Sequence, residues 1–227
     1  MDESTSIDLA VSTVIFALRP HESGTSDNAE LAIPLVRRTR EPYAARWSLP
    51  GGAAEPAEAL ADTAARKLVE TTGLRPAYLE QLYAFGDPDR SPTGRVVSIV
   101  YWALVRPDLA ATAIDDDNVR WFPADELPEL AFDHNLIVRY ALWRLRTKME
   151  YSRIAHALLG DTFTLADLRR VHEIVLERRL DPANFRRQIE ASGVLVDTGL
   201  TVPGGRHRPP RLYRYDSSVQ LADNGPL

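Results

Sequence analysis

The chain has 227 residues, 44% of them apolar and 26% charged, proportions of a folded protein that exclude disorder, collagen-like repeats and coiled coil as the main state, and its length suits two domains. It contains no cysteine, which excludes disulfides, zinc–thiolate and iron–sulfur sites and a thiol nucleophile, and with no apolar run near the roughly 18 residues of a membrane helix and no signal-peptide pattern at Met1-Asp2-Glu3 it is expected in the cytoplasm. The net charge of −5 divides unevenly, −7 through residue 150 and +3 over 151–216, so any polyanion partner is sought by the second part.

Residues 8–18 and 94–105 are rich in β-branched and aromatic side chains with apolar groups on both faces, the pattern of buried central strands. Shorter strands are expected at 31–37, 78–84 and 118–122. A Gly-rich turn, Pro50-Gly51-Gly52, precedes a helix from about Glu58 to Thr72, which Gly73 can close. Another helix is expected over 133–150, with Asp133 as its cap and Leu136, Tyr140 and Trp143 at helical spacing. That surface exceeds what one chain can cover, so it is expected near an inter-domain or dimer contact.

From Ser152 the texture changes to three short helices, 152–159, 164–179 and 181–192. Thr164-x-x-Asp167 is a capping box, and the third helix has Asp181 at its N-cap, Pro182 in its first position and Gly193 past its end. Two strands follow, 194–196 and 211–215, around a basic loop containing Arg206, His207 and Arg208. Three helices and a hairpin are the order of a winged helix. In the third helix Phe185 and Ile189, one turn apart, would face the core and leave Asn184, Arg186, Arg187 and Gln188 outside, residue types that read base edges and phosphates. Arg169, Arg170, Arg211 and Arg214 would extend the basic surface. A solvated face on a protein-docking domain is the plainer alternative.

The spacing from Gly52 resembles the Nudix signature GX5EX7REUXEEXGU, with U a large aliphatic residue: Gly52, Glu58, Arg66, Leu68, Glu70, Gly73 and Leu74 match, and Trp47-Ser-Leu-Pro-Gly-Gly resembles the usual approach. Two glutamates of the signature are replaced, by Lys67 and Thr71. Positions 67, 70 and 71 share one helix face, which here presents one carboxylate where a hydrolase presents three. Mg²⁺ wants several oxygen ligands, so the chain is expected to bind without cutting, and neither a metal nor another cofactor is required. A hydrolase would have to recruit Glu55 or Glu58 instead.

Together the two parts resemble the Nudix-related transcriptional regulators of NAD metabolism, the NrtR family. The resemblance rests also on the segment from Leu79 to Arg90, on Gly94-Arg-Val-Val-Ser98, on Ala131-Phe-Asp-His134 and on Asn184-Phe-Arg-Arg187. It implies an α/β Nudix-like domain, a mixed sheet with flanking helices over residues 8–147, followed by a winged helix-turn-helix domain over 151–216. It implies a homodimeric repressor of NAD biosynthesis or salvage genes, holding operator DNA and sensing a small nucleotide effector, ADP-ribose or a related NAD metabolite. The effector is assigned to Arg66, Lys67, Glu70, Arg38 and Trp47, although Trp47, like Trp102, Trp121 and Trp143, also reads as packing. DNA is assigned to Asn184, Arg186, Arg187, Gln188, Arg206, His207, Arg208 and Arg211. The alternatives are an ADP-ribose pyrophosphatase with an appended regulatory domain and an RNA-binding or protein-docking module built on an inactive hydrolase.

Overall fold

The computed structural model describes residues 6–20, 29–76, 78–151, 154–203 and 209–216. The chain divides into two compact units, Met1–Trp143 and Arg144–Leu227. Among the described residues no helix is long and apolar enough to cross a membrane.

The first unit is built on strand β1 (Asp8–Pro20), whose run from Val11 to Leu18 is buried on both faces, as its uninterrupted apolar sequence requires. It lies parallel to β6 (Val96–Val105) over ten residue pairs, from Asp8 opposite Val96 to Ala17 opposite Val105. Its other edge is shared. Residues 17–20 pair antiparallel with β2 (Ala29–Arg37), and residues 10–12 pair antiparallel with β4 (Gly51–Ala53). The sheet runs β3-β2-β1-β6-β5, with β3 (Trp47–Ser48) and the edge strand β5 (Tyr78–Phe85) at its ends and β7 (Val119–Pro123) also on β2. One parallel pair among antiparallel ones makes the sheet mixed, as expected.

The Gly-rich turn is therefore partly strand. Gly51 belongs to a β-pair in which an added Cβ would collide with the carbonyl oxygen of Val11, an approach that only glycine permits. Helix α1 (Leu60–Thr72) starts two residues later than expected, because Glu58 remains outside it as a side-chain partner of Thr63. It ends as expected at Gly73, left-handed at φ 73°, whose N–H reaches Val69 O at 2.9 Å. Leu68 is fully buried among Ile15, Leu74, Ala103 and Val105, and burying a leucine contributes roughly 1.5–3 kcal/mol. A short helix that the sequence does not announce, α2 (Pro107–Ala110), follows β6 with its proline in the first turn.

Helix α3 (His134–Tyr151) begins in the first unit and ends in the second. Its buried stripe is Ile137, Val138, Ala141, Leu142, Leu145 and Met149, while Leu136 and Trp143 are more than half exposed. Asp133 stands at the N-cap position, its carbonyl accepting from Ile137 N at 3.1 Å, while both its carboxylate oxygens accept from Arg90.

In the second unit α3 is followed by a 3-10 turn over Ile154–Leu158, tighter than the α-helix expected there. Helix α4 (Leu165–Leu176) has the capping box in full: Thr164 Oγ accepts from Asp167 N, and the Asp167 carboxylate accepts from Thr164 N. It stops three residues earlier than expected. Glu177 turns left-handed at φ 51°, and Glu173 accepts the N–H of Leu180, pulling the chain off the helix axis before Arg178 and Arg179. Helix α5 (Pro182–Ala191) has Asp181 as N-cap, accepting from Asn184 N at 2.7 Å. The hairpin pairs β8 (Leu195–Thr201), longer than expected, with β9 (Arg211–Tyr215), and Phe163 and Tyr213 exchange two backbone hydrogen bonds that dock the hairpin ahead of α4.

Candidate functional site

On α1 the residues of the signature form one charged chain. Arg66 grips Glu58 bidentately, through Nε at 2.8 Å and Nη2 at 2.6 Å, and its Nη1 donates to Glu70 at 3.0 Å. The other oxygen of Glu70 accepts from Lys67 Nζ, also at 3.0 Å. The Arg66 hydrogen bonds hold the Glu58 carboxyl down at about 2, and those from Arg66 and then Lys67 lower that of Glu70. Both carboxylates are ionised and matched by two cations. Lys67 lies over Gly52, where an added Cβ would come within 3.1 Å of its Cε. Thr71 turns its hydroxyl to the carbonyl of Lys67 in its own helix.

This donor set does not fit Mg²⁺. A magnesium ion takes octahedral oxygen donors, whereas each oxygen of Glu70 faces a cation and Glu58 is clasped by Arg66. Among the described residues no three His, Asp or Glu side chains gather as a metal would need. Glu55 is exposed.

The structure divides the expected effector residues between two places. Arg66, Lys67 and Glu70 form the network on α1. Arg38 and Trp47 belong to another, around the start of α3. The Arg38 guanidinium stacks 4.7 Å over the ring of Phe132 and donates to Pro42 O at 2.8 Å, and burial lowers its pKa. Trp47 packs edge-on against Phe122 at 5.2 Å, and its carbonyl accepts from Ala131 N.

The start of α3 holds three residues whose roles the sequence did not reveal. Arg90 and Asp133 form an ion pair of 2.7 Å, with side chains 5% and 17% exposed. His134, beyond being the first residue of α3, accepts the N–H of Leu49 at Nδ1, 3.0 Å away. That bond fixes the neutral tautomer with the proton on Nε2, and burial lowers the imidazole to about 4. Asp133 and His134 stand in a segment the sequence singled out, but nothing in it signals a partner for Asp133 43 positions away.

In the second unit Phe185 is buried edge-on against the ring of His172 at 5.2 Å and anchors α5 to α4. Asn184, Arg186, Arg187 and Gln188 are exposed, as expected, with Arg186 turned to Glu190 at 2.9 Å. Arg211 is exposed and paired with Asp197 at 2.7 Å. Arg169 does not extend the basic surface. It is held at 2.7 Å by Glu173, one turn along α4. Arg206, His207 and Arg208 lie outside the described residues.

The NUDIX domain model matches residues 14–141, and the NrtR DNA-binding winged helix domain matches residues 155–215. An "ADPR responsive transcriptional repressor NtrR" of Acinetobacter baylyi is 34% identical over 194 residues, 83% of this chain and 77% of that one. The crystal structure of Shewanella oneidensis NrtR superposes with a TM-score of 0.78 at 36% identity, covering 92% of this chain and 94% of that one. The same protein complexed with a 27mer DNA gives 0.77 at 34%, covering 92% and 93%, and its Nudix domain complexed with ADP ribose gives 0.51 at 34%, covering 62% and 89%. An ADP-ribose pyrophosphatase of Methanocaldococcus jannaschii is 34% identical over 113 residues, 49% of this chain and 67% of that enzyme.

Proposed function

The chain belongs to the NrtR family, and from that premise we propose that it is a ligand-controlled repressor of NAD biosynthesis or salvage genes, whose hold on operator DNA is weakened by ADP-ribose or a related NAD metabolite. The observation that carries this reading is the likeness through both domains to a protein crystallised with DNA, whose Nudix domain was also crystallised with ADP ribose. On α5, Asn184, Arg186, Arg187 and Gln188 read the major groove, while Arg206, His207, Arg208 and Arg211 meet the phosphates. The repressor acts as a homodimer. Leu136, Trp143 and Tyr83, each more than half exposed in the single chain, supply apolar surface for a second copy.

The effector is held by Arg66, Lys67 and Glu70 on α1, by Arg38 just past β2 and by Trp47 on β3. Lys67 takes the place of a metal beside the diphosphate, because it occupies the helix face that in a hydrolase carries the metal ligands and it offers phosphate oxygens a charge-assisted contact. Titrating ADP-ribose by calorimetry in EDTA is then expected to give binding to the wild type. Lys67→Ala is expected to bind about tenfold or more weakly, the worth of roughly 1.5–3 kcal/mol for a hydrogen bond to a charged group. Equal affinities would leave Lys67 without this role.

The protein does not hydrolyse its effector. The pyrophosphatase relative makes hydrolysis the reading to test against, and incubation with ADP-ribose and Mg²⁺ or Mn²⁺ decides between them. The expected result is AMP release far below the ~1 per second of an ordinary enzyme; turnover at that rate would replace the repressor reading of this domain.

A further inference from the structure

Helix α3 is gripped at its start and again at Arg146. At its start, Arg90 from the loop between β5 and β6 donates through Nε at 3.0 Å and Nη2 at 2.7 Å to the two oxygens of Asp133, while Leu49, just ahead of β4, donates to His134. In its second half, Arg146 donates to Val175 O at 3.0 Å and pairs with Glu177 at 2.9 Å, which ties α3 to the end of α4. Helix α4 in turn carries α5 through His172 and Phe185.

From the first grip to the second, His134 to Arg146, the helix runs 13 residues, about 20 Å, with neither glycine nor proline to kink it. A buried bidentate ion pair suits such a joint, because its fork geometry is either met or broken, and breaking it strands a charge. The segment holding Leu49 and the one holding Asp133 both adjoin the proposed effector residues. Leu49 lies between Trp47 and the glycine that underlies Lys67, and the segment next to Asp133 touches Arg38.

We propose that the Arg90–Asp133 pair, with the Leu49–His134 hydrogen bond beside it, is the joint through which an occupied effector site resets α3 and thereby loosens the hold on DNA. Arg90 and Asp133 are positioning residues, outside the binding of either ligand. This rests on the functional reading above, and it adds where coupling passes. A ligand shifts DNA affinity only by the difference in its affinity for two arrangements, so breaking the joint removes the coupling factor and leaves each separate affinity in place.

The test uses the full-length protein and a duplex that the wild type has selected from a randomised pool. DNA affinity is measured by anisotropy with and without saturating ADP-ribose, and ADP-ribose affinity by calorimetry. Wild type is expected to lose DNA affinity by about fivefold or more with ADP-ribose, while Asp133→Asn and the apolar pair Arg90→Met/Asp133→Leu keep both separate affinities within about threefold and show a coupling factor below about two. A wild-type factor in a folded variant, or a loss confined to ADP-ribose affinity, overturns the proposal. Hydrogen exchange on the wild type does not depend on any variant folding. ADP-ribose is expected to change protection of amides 132–138, and unchanged protection at saturation overturns the joint. A wild type that binds both ligands with no mutual effect instead overturns the functional reading itself.

Discussion

Replacing Arg186 and Arg187 together by alanine is expected to remove operator preference while leaving the protein folded. Both side chains are exposed on α5, and the residue that fixes the helix is their neighbour Phe185, buried against His172. Within the folded chain the double substitution breaks the exposed pair of Arg186 with Glu190, and such pairs contribute little. A side chain that reads a base edge is worth about 1–3 kcal/mol of discrimination, so the double variant should lose roughly 2–6 kcal/mol on the selected duplex and far less on a scrambled one. Arg211→Ala, on the hairpin, should instead weaken both duplexes alike and reduce the salt slope by about one. Anisotropy titrations on the two duplexes at several salt concentrations separate these outcomes. Unchanged affinity in the double variant would point to a protein-docking surface.

Acid is expected to destabilise the fold well before its carboxylates are protonated. His134 is held at about 4 when folded, against about 6.5 in an unfolded chain, so as the pH falls below 6.5 the unfolded state takes the proton first. Its contribution is complete above that value and is lost progressively down to 4, roughly 3 kcal/mol across the window. The geometry agrees with the direction, because a proton on Nδ1 would face the N–H of Leu49. His172, half-buried against Phe185, is shifted the same way and adds to the slope. Glu58 responds only at lower pH, since Arg66 keeps it ionised down to about 2. Urea unfolding at pH 7, 5.5 and 4.5 measures the loss, and His134→Asn, which retains an acceptor for Leu49, should flatten it. The same steepness in that variant would assign the acid sensitivity elsewhere.

What can be read in the sequence is whatever is encoded locally. The unbroken apolar run of β1 announces a central strand, Thr164 with Asp167 announces a capped helix, and Gly73 announces a stop. Strands β3 and β4 are not legible, because two or three residues acquire strand geometry from partners, Val36 and Arg37 for the one and the long β1 for the other. The early end of α4 depends on a glutamate within the helix capturing an amide beyond it, and Arg178 and Arg179 themselves have good helix propensity. The spacing of the signature puts Lys67 and Glu70, three residues apart, on one helix face, and their side chains meet there. It cannot place Arg38 and Trp47, which are positioned by Phe132 and Phe122. The pairing of Arg90 with Asp133 is long-range, and no periodicity carries it.

The matched and unmatched positions of the stretch from Gly52 to Leu74 differ in what they are for. Gly52 makes room for a lysine stem, Glu58 and Arg66 bind loop to helix, Leu68 and Leu74 are core, and Gly73 supplies a left-handed turn. Each answers to the folding of the polypeptide. Lys67 and Thr71 sit at the rim, where a side chain can be exchanged without opening a cavity. A pattern of this kind is thus two messages written in one line of letters, and the architectural one is the more durable. A lineage can change trade by rewriting two words while its signature remains recognisable, so whoever finds the signature has identified a building and still has to ask about its tenant.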